Sequence, residues 1–366
     1  MASDIEKVCS SCQKPAALKC GRCKFAWYCS AVCQRAHWKE HKSTCKEDST
    51  ERTIYRAGDL LQQIFYVYCE KNFDRRITKL EDLGDRLIIH YAPGISAPFV
   101  PFPKHLVSDD EQKAMMLSNF KCNDAVAYFY DLLVDLLQGI DGLEIEEWNG
   151  TLQLPKRRTQ AGADGSSIQS EASIRKMREQ PWHWITVLKI TKSSKSIVLD
   201  ISGAQFGIFK PCWDLEQYRT KYADAMNDAQ VPGGTVKQNA KADALIQGWN
   251  GYVQRKGWAA VDAVQNAVQD WKLKTGLSLR ALLHRPERDF IKGKAELLDS
   301  IGMSLDQFVA NVDFKKDMAA AIRYEKKHPG TSQRISDERF LSIAQHAHIE
   351  LQFKKMGFSG AKHMLI

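Results

Sequence analysis

Residues 9–45 read CSSCQKPAALKCGRCKFAWYCSAVCQRAHWKEHKSTC, that is Cys9-x2-Cys12-x7-Cys20-x2-Cys23-x5-Cys29-x3-Cys33-x7-His41-x3-Cys45. Eight potential metal ligands, seven thiols and one imidazole, fall within 37 residues and divide into four pairs. Two or three intervening residues let both members of a pair reach one tetrahedral ion at about 2.3 Å without backbone strain. Four pairs therefore predict two closed Zn2+ sites, which leave no position for an activated water and are structural. A disulfide framework is the alternative, and three observations oppose it. Seven cysteines leave an odd thiol. Residues 1–8 are short and polar, without the apolar run of a secretory leader. The other three cysteines, Cys69, Cys122 and Cys212, stand singly. That usage predicts a reducing, intracellular location, nucleus or cytoplasm.

The order C-x2-C, C-x2-C, YC-x3-C, H-x3-C, with Tyr28 before Cys29 and Cys33-Gln34-x3-Trp38-x2-His41 after it, resembles the MYND-type zinc finger. The resemblance implies a cross-brace in which alternate pairs share an ion. Cys9, Cys12, Cys29 and Cys33 would hold one zinc, and Cys20, Cys23, His41 and Cys45 the other. Spacing alone also permits sequential pairing. His37 competes with His41, because Cys33, His37, His41 and Cys45 recur every four residues and share one helical face. The family pattern selects His41 and leaves His37 a neighbour of the site.

Fifty residues bury little core, so metal binding and folding of such a unit are one event. To residue 50 there are nine Lys and Arg against five Asp and Glu, so seven thiolates and two Zn2+ leave the finger near neutral. That is no electrostatic footprint for a phosphate backbone, and nucleic acid is not the expected partner. MYND fingers are similar to one another in taking proline-containing peptides of partner proteins, with the Gln and Trp of the C-Q-x3-W-x2-H run facing the peptide. Here these are Gln34 and Trp38. An indole on a short exposed helix offers a flat surface for a proline ring, or it covers the metal core.

Over 366 residues the net charge of +8 is mild and the apolar fraction of 44% is globular. No 18-residue apolar run suggests a membrane span, and neither a Walker A lysine nor a strand-borne G-x-G-x-x-G is present. Residues 46–53 are polar and read as a linker. Leu60, Leu61, Ile64, Phe65 and Tyr68 then recur at helical spacing. Residues 85–91 read as a strand, followed by a proline-punctuated loop. From Asn123 a helix carries Ala125, Val126, Phe129, Leu132, Leu133, Leu136 and Leu137 on one face and ends at Gly139 and Gly142. Residues 155–181 are polar and rich in Gly and Ser, a mobile loop whose basic clusters are solvated.

Trp182–Ile190 and 196–202, rich in β-branched and aromatic residues, read as a β-hairpin. An even-length loop puts His183 and Asp200 on the same face. They are directly opposite for a two-residue loop, and about 7–8 Å apart, diagonal to one another, for one step of offset. Cys122 stands at the start of the preceding helix, where a thiol feels the helix N-terminus and the thiolate is favoured. Cysteine at a helix start, histidine on a strand and aspartate on the next resembles the papain-like and transglutaminase-like cysteine enzymes. The resemblance implies a hydrolase or acyltransferase using Cys122, His183 and Asp200. The chain departs from the pattern at Asn123, where an aromatic is usual, and in the long interval from Cys122 to His183.

Beyond Pro211 the sequence turns helical. A boundary falls at Pro232, Gly233 and Gly234, and apolar stripes run through Trp258, Val261, Val264, Val268 and Trp271, and through Phe340, Ala344, Ala347 and Leu351. His346 and His348 stand two apart and make a poor metal pair. Some MYND fingers sit within SET-type lysine methyltransferases, which carry an Asn-His-x-Cys run. None of the ten histidines here has that setting. The expected architecture is a small zinc-stabilised cross-brace finger (1–50), a mixed α+β domain with a short antiparallel sheet (51–213), and a mainly helical region (214–366). The expected function is a zinc-binding adaptor, with the cysteine-enzyme reading as alternative.

Overall fold

The computed structural model describes residues 8–21, 23, 26–92, 97–153, 157–162, 182–191, 193–226 and 236–339. The finger begins with two short antiparallel strands, β1 (Leu18–Lys19) and β2 (Trp27–Tyr28). Helix α1 follows, Ala31–Lys71. Ser30 caps it, its hydroxyl accepting from the Cys33 amide at 3.2 Å. At 41 residues the helix is about 60 Å long.

That length corrects the expected linker. Residues 46–53 are polar because they lie between two anchors, not because the chain is unstructured there. On the body side Ile54, Ala57, Leu60, Leu61, Ile64, Phe65 and Tyr68 are buried, and four polar ties fix the helix. The Arg56 guanidinium donates to the Leu283 and Arg285 carbonyls at 2.8 and 2.6 Å. Lys294 reaches Asp59 at 2.7 Å, Lys71 reaches Asp306 at 2.6 Å, and Lys195 pairs with Glu51.

Strands β3 (Ile77–Asp82) and β4 (Arg86–Tyr91) form an antiparallel hairpin. Helices α2 (Asp110–Ser118) and α3 (Cys122–Leu137) follow. Strands β5 (Leu143–Leu152), β6 (Arg158–Ala161), β7 (Trp182–Ile190), β8 (Lys195–Leu199), β9 (Cys212–Asp214) and β10 (Ala223–Met226) come next, with α4 (Leu215–Tyr222) between the last two. The main sheet is antiparallel in the order β10-β5-β7-β8-β9, and a second sheet has the order β3-β4-β6. Helices α5 (Val236–Asp243), α6 (Trp249–Thr275), α7 (Leu279–His284), α8 (Glu287–Asn311) and α9 (Lys315–Lys327) complete the body.

The main sheet is buried on both faces, which explains its continuous apolar strands. Trp184, Leu188, Ile197 and Leu199 join the core shared with α1 and α3. Ile185, Val187 and Val198 pack instead with Leu215 and Tyr218 of α4. Phe129 of α3 meets Phe65 and Tyr68 of α1 edge-on, ring centroids 5.8 and 5.4 Å apart.

The expected mobile loop is corrected in part. Residues 158–161 form β6, which pairs in parallel with β4. Arg157 is not a solvated loop charge: it donates to Asp82 at 2.6 Å and to the Gly84 carbonyl at 2.9 Å. An edge strand held by backbone pairing needs no apolar alternation, so its sequence gives no strand signal. Residues 163–181, the boundary at 232–234 and the stripe and histidine pair at 340–351 lie outside the described residues. The region after 213 is mainly helical, as expected, and the end of β9 and the short β10 within it add to the main sheet.

A buried charge network pins the start of α3. The Lys256 ammonium, 2% exposed, lies 2.6 Å from Asp74 and 3.0 Å from the Pro98 carbonyl. Burial alone would raise the Asp74 carboxyl, yet Lys256, Lys121 and Arg75 hold it at about 2. Lys121, next to Cys122, pairs with Asp124 at 2.8 Å.

Continuity of α1 is testable. Thr50→Pro removes one helical hydrogen bond and clashes with the preceding turn, costing about 3 kcal/mol. We expect 15N relaxation to show the finger tumbling faster than the body in this variant, with zinc content unchanged. Identical tumbling in both proteins would mean that the helix does not couple the two.

Candidate functional site: a two-metal finger and a buried thiol–imidazole cluster

Two groups of ligand atoms converge at the N-terminus. Cys9, Cys12, Cys29 and Cys33 form one, and Cys20, Cys23, His41 and Cys45 the other, with the donor atoms of each group all within 4.8 Å of one another. The pairs are interleaved, as the cross-brace requires. Spacing left this open, and the β1–β2 hairpin decides it by turning Cys20 and Cys23 back toward the last turns of the finger's helix. A tetrahedron with 2.3 Å Zn–S bonds has S···S edges of about 3.8 Å. The sulfurs of Cys12, Cys29 and Cys33 stand 3.6, 3.5 and 3.8 Å apart, and those of Cys20 and Cys45 3.7 Å. The Cys23 sulfur is 3.4 Å from His41 Nε2. These distances suit two Zn2+ ions and are far too long for S–S bonds of about 2.05 Å. With only protein charges around it, the Cys45 thiol is pushed up to about 12, first by burial and then by Cys20 and Cys23. Such crowding is relieved when a cation binds the thiolates. The two ions are structural.

His41, and not His37, belongs to the second converging donor group. His37 accepts or donates a 3.1 Å hydrogen bond with the Tyr28 hydroxyl and stacks on His41 at 5.8 Å. The second metal group is tied to the body, because the Arg52 guanidinium donates to the Cys23 carbonyl at 2.8 Å. Arg52 was not singled out by the sequence reading; its helical distance from Cys45 was the signal.

Ala31, Gln34, Arg35 and Trp38 line an open groove on the first turns of α1. Positions i, i+3, i+4 and i+7 share one face of a helix. Trp38 packs edge-on against His41 at 6.2 Å and is still 38% exposed. It both covers the metal and faces solvent.

The second predicted group also has a definite geometry. The β7–β8 register pairs Thr186 with Leu199, so the loop 191–194 has four residues and His183 and Asp200 are diagonal neighbours on one face. Their side chains lean together: Nε2 to Oδ1 is 2.9 Å, and both residues are buried. Burial by itself would lower the His183 pKa; Asp200 more than offsets this and Cys122 adds to it, so the imidazolium is favoured. The other Asp200 oxygen accepts from the Tyr218 hydroxyl at 2.9 Å. Tyr218, on α4, carried no sequence signal. Gly203 lets the backbone approach Asp200, since a Cβ there would lie 2.4 Å from Oδ2. Before Cys122, Phe120 has φ +58°, a left-handed conformation costing about 1–2 kcal/mol. Its amide donates to Gln205 Oε1 at 3.1 Å.

Residues 9–45 match the family model described as MYND finger. Over 118 residues, 32% of this chain and 25% of the relative, the chain is 27% identical to "SET domain-containing protein 14" of Caenorhabditis elegans. It is 45% identical over 62 residues to "Ubiquitin carboxyl-terminal hydrolase 19" of Arabidopsis thaliana, covering 16% of this chain and 9% of the relative. It is 28% identical over 134 residues to "N-lysine methyltransferase SMYD2" of Bos taurus, covering 31% and 30%. The chain thus spans less than a third of these relatives. No solved structure matches it. Nothing in these comparisons supports the papain-like or transglutaminase-like resemblance. Residues 9–45 are a MYND-type, zinc-binding finger, a protein-interaction module.

Metal analysis of protein prepared under reducing conditions should give two zinc per chain. Cys29→Ser should leave one zinc and an unchanged melting transition of the body, while Cys45→Ser removes the ion nearest Arg52. Two zinc retained in either variant would contradict the ligand assignment.

Proposed function

We propose that the chain is an adaptor whose finger captures a proline-containing segment of a partner protein across Gln34 and Trp38, and presents it at a fixed position relative to the body. The exposure of Trp38 carries this reading. An indole held edge-on by a metal ligand cannot rotate away, so its free face is a rigid apolar platform beside the Gln34 amide and the Arg35 charge. Rigid aromatic platforms are the usual anchors of protein interfaces. The near-neutral finger and the absence of any described helix long and apolar enough to cross a membrane favour a protein partner over nucleic acid or a lipid bilayer. Thiol ligands and free cysteines support an intracellular location, nucleus or cytoplasm, for the adaptor. Methyl transfer, printed in the name of the SMYD2 relative, is not carried to this chain, whose histidines lack the Asn-His-x-Cys setting.

Fluorescence polarisation against a panel of labelled peptides with and without proline tests the reading. Proline-containing members should bind, and Trp38→Ala should weaken them by at least about 2 kcal/mol, roughly thirty-fold. Zinc content should remain two per chain. Unaltered binding in the variant would place the interaction surface elsewhere.

A further inference from the structure

The near-neutral sum of the finger conceals a separation of charge. In both converging groups the thiolates outweigh the charge of one Zn2+, so the metal core is negative. Outside it, residues 8–45 contain a single carboxylate, Glu40, against seven Lys and Arg. Three of these cations surround Trp38 on α1. Arg35 and Lys42 stand one turn before and one turn after the indole, and Lys39, four residues from Arg35, borders the same face. All three are exposed. Glu40 turns the other way, its carboxylate 3.6 Å from His37. Among the described residues no carboxylate pairs with Arg35, Lys39 or Lys42. We propose that the groove selects acidic segments: its occupant is a proline-containing stretch with Asp or Glu close to the proline on both sides. The proline ring packs on Trp38 and the carboxylates meet Arg35 and Lys42. This rests on the adaptor reading and adds to it the charge of the partner.

The spacing suits such a segment. Arg35 and Lys42 are separated by about 10 Å along the helix axis, with Trp38 between them. A proline also holds the residue before it in an extended conformation, and a polyproline-type chain advances about 3.1 Å per residue. Three to four such residues therefore cover the distance between the cations. An acid one or two positions from the proline falls opposite a cation whichever way the segment runs. The Arg35 guanidinium can take a carboxylate with two parallel N–H donors, and Lys42 supplies a mobile point charge.

Exposed ion pairs are individually weak, so the indole anchors and the cations discriminate. Three like charges around one groove repel each other in the free protein. An acidic segment relieves that repulsion and a basic one adds to it, which rejects the wrong partner as well as attracting the right one. A phosphate backbone fits less well. It needs a continuous basic track, whereas here the negative metal core borders the groove, with His41 at 6.2 Å from the Trp38 ring.

Fluorescence polarisation with the zinc-loaded full chain tests the proposal, using three labelled peptides that share one proline-containing core and are flanked on both sides by Glu, Gln or Lys. In about 50 mM salt, where screening is weak, the Glu peptide should bind at least about fivefold tighter than the Gln peptide, and the Lys peptide weakest. In about 0.5 M salt the three should converge. Equal affinities at low salt would overturn the charge assignment and leave the proline reading standing. A Glu-flanked peptide with Ala in place of proline that binds as tightly as its parent would overturn both, as would failure of every peptide. Reversing two cations, Arg35→Glu with Lys42→Glu, should invert the ranking while zinc stays at two per chain; an unchanged ranking would overturn the proposal. Should the double variant lose zinc, Lys42→Gln alone should narrow the Glu-to-Gln ratio, and an unchanged ratio would remove Lys42 from the site. Displacement of the Glu peptide by an equimolar single-stranded thymidine oligonucleotide would assign the cations to phosphate and overturn the acidic-segment reading.

Discussion

Tetrahedral geometry at the second metal group is the constraint on which the rest of the molecule depends. Two of its ligands, His41 and Cys45, are on the helix that continues to Lys71 and fills the core of the body. Four donors must meet one ion at 2.0–2.3 Å, so the N-terminal turns of α1 cannot move relative to Cys20 and Cys23. The C-terminal turns cannot move relative to α3 and α8, because Leu60, Ile64, Phe65 and Tyr68 are buried there. The polar residues between the anchors are helical for the same reason. A helix held at both ends extends through its middle once the nucleation cost is met. Arg52, reaching from that middle to the Cys23 carbonyl, closes the connection.

From this shared helix the body is built outward in layers. One face of the main sheet rests on α1 and α3, and its other face is covered by α4. The consequence for chemistry is that His183 and Asp200, on the α4 side, sit in a dry environment where a carboxylate–imidazole contact is electrostatically strong. The same dryness makes the unpaired Nδ1 costly, and the strained Phe120 adds to that cost. The finger presents the opposite case: closed metal sites with every ligand used, and an exposed indole beside them.

Several parts of this picture were legible in residue order. Cysteine and histidine spacing identified eight ligands and two ions, since ligand count and short loops are local properties. Apolar periodicity located the buried face of α1, the helix at Cys122–Leu137 and the β7–β8 hairpin, because a helix or a central strand writes its burial into its own sequence. An even loop is enough to put His183 and Asp200 on one face. Less was legible where the signal is carried by a partner. Residues 158–161 are strand only because β4 offers its edge, β9 and β10 only because β8 and β5 do, and 46–53 are helix only because both ends are fixed.

The sequence by itself determined the metal chemistry, the identity of the core faces and the residue types able to act as nucleophile, base and orienting acid. Each of these depends on neighbours within a few residues. Tertiary structure decided which pairs share an ion, that finger and body are one continuous helix, and that Tyr218 stands behind Asp200. Those outcomes depend on contacts between segments 17 to more than 200 residues apart, and chain order carries no record of which distant surfaces will meet.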